Sequence, residues 1–127
     1  MRYHDYRLRG YALSNFGETV ILDLVSNYSG QPVEESRIEF RGVVLHHFVH
    51  TAGAIIMDIF TVPLPDLFAE FGDAITEWNR RQGVDGWTGT IEDYAMTLEG
   101  MSCWRILSAV GFNGFVIGRE VHGKVTV

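Results

Sequence analysis

Three histidines stand close together in the run LHHFVH, at His46, His47 and His50, and Asp58 follows inside an otherwise apolar stretch. Imidazole titrates near neutrality and ligates metals readily, so such a cluster could hold zinc or move protons. Strand geometry argues against a joint metal site. His46 and His50 would share a face roughly 13 Å apart at the usual rise per residue, and His47 would point the other way. The spacing matches no zinc pattern, so no metal and no cofactor are expected. One histidine paired with Asp58, or with the distant His4 or His122, remains open.

Asp58 and Asp23 each interrupt a strand-like apolar run. A carboxylate in that setting must be hydrogen-bonded or ion-paired, or its pKa rises. Arg7, Arg9, Arg37, Arg41 and Arg105 all fall on expected strands and could supply partners. One account is an ion-pair layer on the open face of a sheet. The other is a polar cleft between sheet and helix, with Asp58, His47, Arg41 and Asp23 as the ligand-binding candidates. No catalytic residue is assigned. Ser108 lies in SAVG rather than in a nucleophile elbow, and the glycine-rich GFNGFVIG run leads into a strand instead of a phosphate-binding helix.

These candidates depend on the elements that carry them. Tyr6–Leu13 and Thr19–Ser26 read as strands, the second with Val20, Leu22 and Leu24 on one face. Ser36 to Val62 reads as a long hairpin turning at Thr51-Ala52-Gly53-Ala54. Its first half alternates around Ile38 and Phe40, whereas beyond Gly42 it becomes apolar on both faces. Gly42 is therefore either a bulge or the point where the strand passes beneath a helix. Pro63 and Pro65 stop the sheet and can open a helix over 65–82, with Leu67, Phe68, Phe71, Ile75 and Trp78 on its inner stripe. Thr90 is a helix N-cap, followed by Glu92 and Asp93 in the first turn. Cys103–Val110 and Phe115–Val127 close the chain as strands around a Gly111–Gly114 turn. The order β-β-β-β-α-α-β-β predicts one α+β domain over 1–127, with a mainly antiparallel sheet of about six strands and two helices packed on one face.

Composition narrows the function. The 127 residues carry 16 acidic against 10 basic side chains, for a net charge of −6. No Lys/Arg run appears, which argues against nucleic-acid binding. No apolar stretch reaches the ~20 residues of a membrane span, and MRYHDYRLRG lacks a signal-peptide core, so a cytoplasmic location is expected. The single Cys103 reads as a small buried hydrophobe. Trp87, beside Asp85 in a glycine-rich acidic loop, is the candidate partner anchor.

Two stretches resemble segments of small bacterial domains of uncharacterised function. One is Ile38–Val44 with His47-Phe48 and Ile56–Ile59; the other is Ile106–Gly114. Together they span about half the chain. Such domains include proteins similar to toxin-immunity partners, and the resemblance implies action by binding, with no catalytic residue carried over. The expected function is a protein-binding or regulatory module that meets a basic partner through an acidic surface. The alternatives are a small molecule-binding protein or enzyme around Asp58 and His47, and a homo-dimer formed through a sheet edge.

Overall fold

The computed structural model describes residues 6–26, 30–82 and 90–126. The elements run β1 (Tyr6–Ser14), a 3-10 turn (Asn15–Gly17), β2 (Thr19–Val25), β3 (Glu35–Arg41), β4 (Leu45–Thr61), α1 (Leu64–Gln82), α2 (Ile91–Thr97), β5 (Ser102–Gly118) and β6 (Glu120–Thr126). The fold is α+β. Every strand pairing is antiparallel, in the spatial order β5-β4-β1-β2-β3-β6. Register shifts break β1 against β2 and β4 against β5, so the sheet contains more straight segments than continuous strands.

The largest departure from expectation concerns the hairpin. Thr51–Ala54 does not turn the chain; these residues lie within β4, a single strand of 17 residues. Gly111–Gly114 is likewise no turn, but part of the 17-residue β5. The two segments face each other. Between the pairs His50↔Phe112 and Ile55↔Val110, β4 runs through residues 51–54 while β5 supplies only Gly111. The left-handed φ of +85° at Gly111 takes up this mismatch, as glycine does in a bulge. Asn113 and Ser108 tie it down. Asn113 Oδ1 accepts from Ser108 N–H at 3.1 Å, and Ser108 Oγ donates to Ile55 O at 2.6 Å. Glycine-rich chemistry that reads as two turns is thus one paired irregularity in a long ladder.

Gly42 marks the real corner. Its φ is +64°, and it separates β3 from β4. Opposite it, Gly118 ends β5, and a Cβ there would come within 3.1 Å of Arg41 O. The pairs Arg41↔Glu120 and Leu45↔Ile117 flank the corner. β3–β4 and β6–β5 therefore form one bent two-stranded ribbon, and the last strand is carried to the sheet edge beyond β3. The β1–β2 hairpin fills the angle: β2 pairs with β3, and β1 reaches β4 through Tyr6↔Ile56 and Arg7↔Ile55.

Folding the sheet back on itself encloses the first core. Val20, Leu22 and Leu24 from β2, Ile38 and Phe40 from β3, and Trp104, Ile106 and Phe112 from β5 are buried in it. Phe40 meets Trp104 at 5.3 Å and Tyr11 meets Phe112 at 5.4 Å, between strands that do not pair. The second core lies on the opposite face of β4–β5, where Leu67 and Ile75 of α1 and Tyr94 of α2 pack on Cys103, Phe115 and Ile117. Gly42 is thus no bulge within a strand but the break between two strands, and beyond it β4 runs beneath the helices. Both helices begin as their local signals indicate: Leu67 N–H donates to Pro63 O at 3.1 Å, and Thr90 Oγ accepts from Asp93 N–H at 3.2 Å.

One arginine joins the layers. Arg105 on β5 donates to both Glu70 carboxylate oxygens on α1 at 3.1 Å, lies 5.2 Å from the Phe71 ring centre, and donates to Gly114 O at 2.9 Å. A bidentate guanidinium–carboxylate pair fixes orientation as well as distance. Gly114 makes the strand contact beneath it possible, because a Cβ there would lie 1.8 Å from His47 O.

Candidate functional site

At the start of β4, side-chain alternation sends consecutive histidines to opposite sides. His46 approaches Phe48, with ring centres 5.5 Å apart. His47 turns towards the helices, 4.5 Å from Trp78 and 6.1 Å from Phe115. Burial lowers the pKa of both rings from the ordinary 6.5, and in His46 the neighbouring His47 lowers it further. Both imidazoles are accordingly neutral near pH 7.

A half-open cavity of about 520 Å³ lies here. Its walls include Val43, Val44 and Leu45 on the approach to and start of β4, both histidines, and Trp78, Asn79 and Tyr94 from the helices. The β1–β2 connection supplies the rim through Phe16 and Glu18. That connection is held by Val43 N–H donating to Glu18 O at 2.9 Å and by Asn15 Nδ2 donating to Glu18 Oε2 at 3.1 Å. Asn15 and Phe16 both adopt left-handed backbone, at φ 51° and 58°, and the Phe16 side chain is fully exposed. Side chains other than glycine enter that region at a cost.

Asn79 is the unusual wall residue. It is 3% exposed, and its amide nitrogen has no hydrogen-bond partner among the described residues. Burial pushes the Tyr94 hydroxyl pKa up, and the neighbouring Asn79 side chain pulls against that rise.

Of the four ligand-binding candidates read from the sequence, only His47 lines this cavity, with His46 beside it. Asp23 belongs to the ion-pair layer on the outer face of β1–β3. Arg9 grips it at 2.9 and 3.0 Å and also reaches Glu35 at 3.0 Å. The carboxylates raise the Arg9 pKa through these hydrogen bonds, Asp23 most strongly. A shallow cavity of about 600 Å³ runs over the same layer. Arg41 pairs with Glu39 on its own strand at 3.1 Å. Asp58 is half-buried at a register shift, where its Oδ1 accepts from Ile59 N–H at 2.8 Å. The structure does not gather Asp58, Arg41 and Asp23 around His47 in one pocket. Trp87, Asp85, His4 and the side chain of His50 lie outside the described residues. His122 pairs with Glu120 at 3.1 Å, and no group of three His, Cys, Asp or Glu is placed to hold a metal among the described residues.

Sequence reasoning placed Trp78 in the core and passed over Asn79. A signal was present: Asn79 falls four residues after Ile75 on the buried stripe of α1, where an apolar side chain is the rule. No protein-family model matches the chain, and no curated protein matches it significantly.

Proposed function

We propose that the protein is a small binding module, immunity-like in its mode of action, that engages a basic protein partner through the outer face of its helices. The observation that carries this reading is the segregation of charge. Residues 64–100 hold eight acidic side chains and two arginines, while the rest of the chain holds eight acidic and eight basic ones, so the net charge of −6 arises in the helical segment. Asp66, Asp73, Glu92 and Glu99 are exposed there and form no ion pair with another described residue. A surface of one sign steers an oppositely charged partner and speeds association. No helix among the described residues is long and apolar enough to cross a membrane, and a cytoplasmic location is part of the proposal.

The test is affinity capture from native lysate at low salt, read by mass spectrometry. The wild-type protein should retain a basic protein that elutes at ~0.5 M salt, where screening is strong. A variant carrying Asp66→Asn, Asp73→Asn, Glu92→Gln and Glu99→Gln should not retain it. Capture of nothing, or equal capture by the folded variant, refutes the reading.

A further inference from the structure

Among the described residues Phe16 is the most exposed large apolar side chain, and its backbone is held in place. Asn15 and Phe16 both take left-handed backbone, Glu18 N–H donates to Asn15 O at 3.1 Å, and Val43 N–H ties Glu18 O to the corner before β4. Consecutive non-glycine residues persist in that region only where their surroundings hold them. The ring stands at the rim of the half-open cavity of about 520 Å³, whose walls include Val43, Leu45, His47 and Trp78. Apolar surface continues outward from there. Leu13 is 52% and Val44 47% exposed, and the exposed Tyr11 meets Phe48, which in turn meets His46. Neighbouring exposed apolar side chains of this kind mark interaction surfaces. The one charged residue lining the cavity is Glu18, whose carboxylate accepts from Asn15.

One surface thus carries a protruding ring and, beside it, a recess with aromatic and aliphatic walls. A twofold interface needs that combination, because the same patch on each copy must supply both knob and hole. We propose that two copies of the chain associate through this surface, the Phe16 ring of each entering the cavity of the other against Trp78 and His47. The area is that of a weak dimer. An inserted ring hides roughly 200 Å² of its own surface and about as much of the wall that receives it. Two insertions bury roughly 800 Å², and Leu13 and Val44 at the flanks bring the total to on the order of 1,000 Å², where specific interfaces begin. Charge permits the contact. The net charge of −6 arises in the helical segment, and Asp66, Asp73, Glu92 and Glu99 do not line the cavity. The surface is therefore independent of the acidic helical face, and its salt response is opposite. Added salt screens the repulsion between two acidic copies and favours the dimer, whereas it releases a basic partner.

Sedimentation equilibrium of the full chain, from about 5 μM to about 1 mM at ~0.05 and ~0.5 M salt, tests this. The mass should rise from 14.3 kDa towards twice that value, with a midpoint on the order of 100 μM that falls at the higher salt. Phe16→Asn keeps the left-handed turn, which asparagine enters readily, and should leave the urea midpoint unchanged. With both rings of the dimer lost, its dissociation constant should rise about a hundredfold, leaving the variant mostly monomeric throughout. In a mixture of isotope-labelled and unlabelled wild-type chains, filtered NOEs should join the Phe16 ring of one copy to the Trp78 indole of the other. A monomer across the range overturns the proposal and leaves the surface to a different protein or a small molecule. A dimer that Phe16→Asn leaves intact also overturns it, since the contact then lies elsewhere, such as a sheet edge. So do Phe16–Trp78 NOEs confined to a single chain, because the ring then fills its own cavity. Should the variant not fold, the NOEs between copies decide alone, and their absence refutes the proposal.

Discussion

Replacement of Gly114 by alanine tests the central packing of the fold. Gly114 pairs with Phe48 in the β4–β5 ladder. A Cβ at that position would sit 1.8 Å from His47 O, 2.9 Å from His47 C and 2.7 Å from Phe48 Cδ1. Two of those atoms belong to backbone, so no side-chain rotation can relieve the contact, and the strands must separate. Separation would also disturb the Arg105 bond to Gly114 O and the Arg105–Glu70 pair that holds α1 against the sheet. Overpacking a dense core typically costs 1–3 kcal/mol, and a backbone clash belongs at the upper end, so the expected loss is about 3 kcal/mol. Against a total stability of roughly 5–15 kcal/mol this is a large fraction. It corresponds to a fall of about 10 °C in melting temperature for a domain of this size. Gly10→Ala is the matched control. A Cβ there meets nothing within 4 Å, and alanine restricts the unfolded chain, so stability should be unchanged or rise by up to about 1 kcal/mol. Urea unfolding followed by tryptophan fluorescence measures both variants. If Gly114→Ala is as harmless as Gly10→Ala, the close approach of β4 and β5 is wrong, and with it the account of Gly114.

Two further outcomes follow from burial. The His46 and His47 pKa values lie below 6.5 in the folded protein, chiefly through desolvation. The unfolded chain is then the better proton acceptor, so this contribution to stability is complete above about pH 6.5 and is lost as the pH falls below it, until the folded rings also titrate. The urea midpoint should accordingly drop between about pH 7.5 and 5.5, and a His46→Gln/His47→Gln variant should show a smaller drop; an unchanged slope would sink the argument. Burial also pushes the Cys103 thiol up to about 11. The native protein should therefore react with Ellman's reagent no faster than it unfolds, whereas rapid native labelling would show that the thiol is accessible.

Local chemistry made much of the fold legible. The two-residue alternation of Val20, Leu22 and Leu24, the helical stripe through Leu67 and Ile75, and the Thr90 cap each depend on neighbours a few residues away. The element order and the α+β class follow from them. The site was legible only in part. His47 stood out by type, and strand alternation correctly separated its ring from that of His46. Asn79 could have been noticed as a polar residue on a buried stripe, but whether its amide nitrogen finds a partner depends on what α2 and β4 bring beside it.

Tertiary structure alone decided the pairing of β4. TAGA and GFNG offer the same small, flexible residues that a turn requires, and glycine serves a turn and a bulge equally well. The choice was made by β5, whose Gly114 lets the strands approach and whose Gly111 absorbs the extra residues of β4. The partner of Arg105 was settled in the same way, because Glu70 reaches it only once α1 lies across the ribbon. The sequence by itself determined the helices, the strands β1 to β3 and which of their faces are apolar, since those properties have periods of two and 3.6 residues. It did not determine where the long strands β4 and β5 begin and end. Which faces meet, and which polar group is left without a partner between them, depends on contacts between residues far apart in the chain, and those were decided by packing.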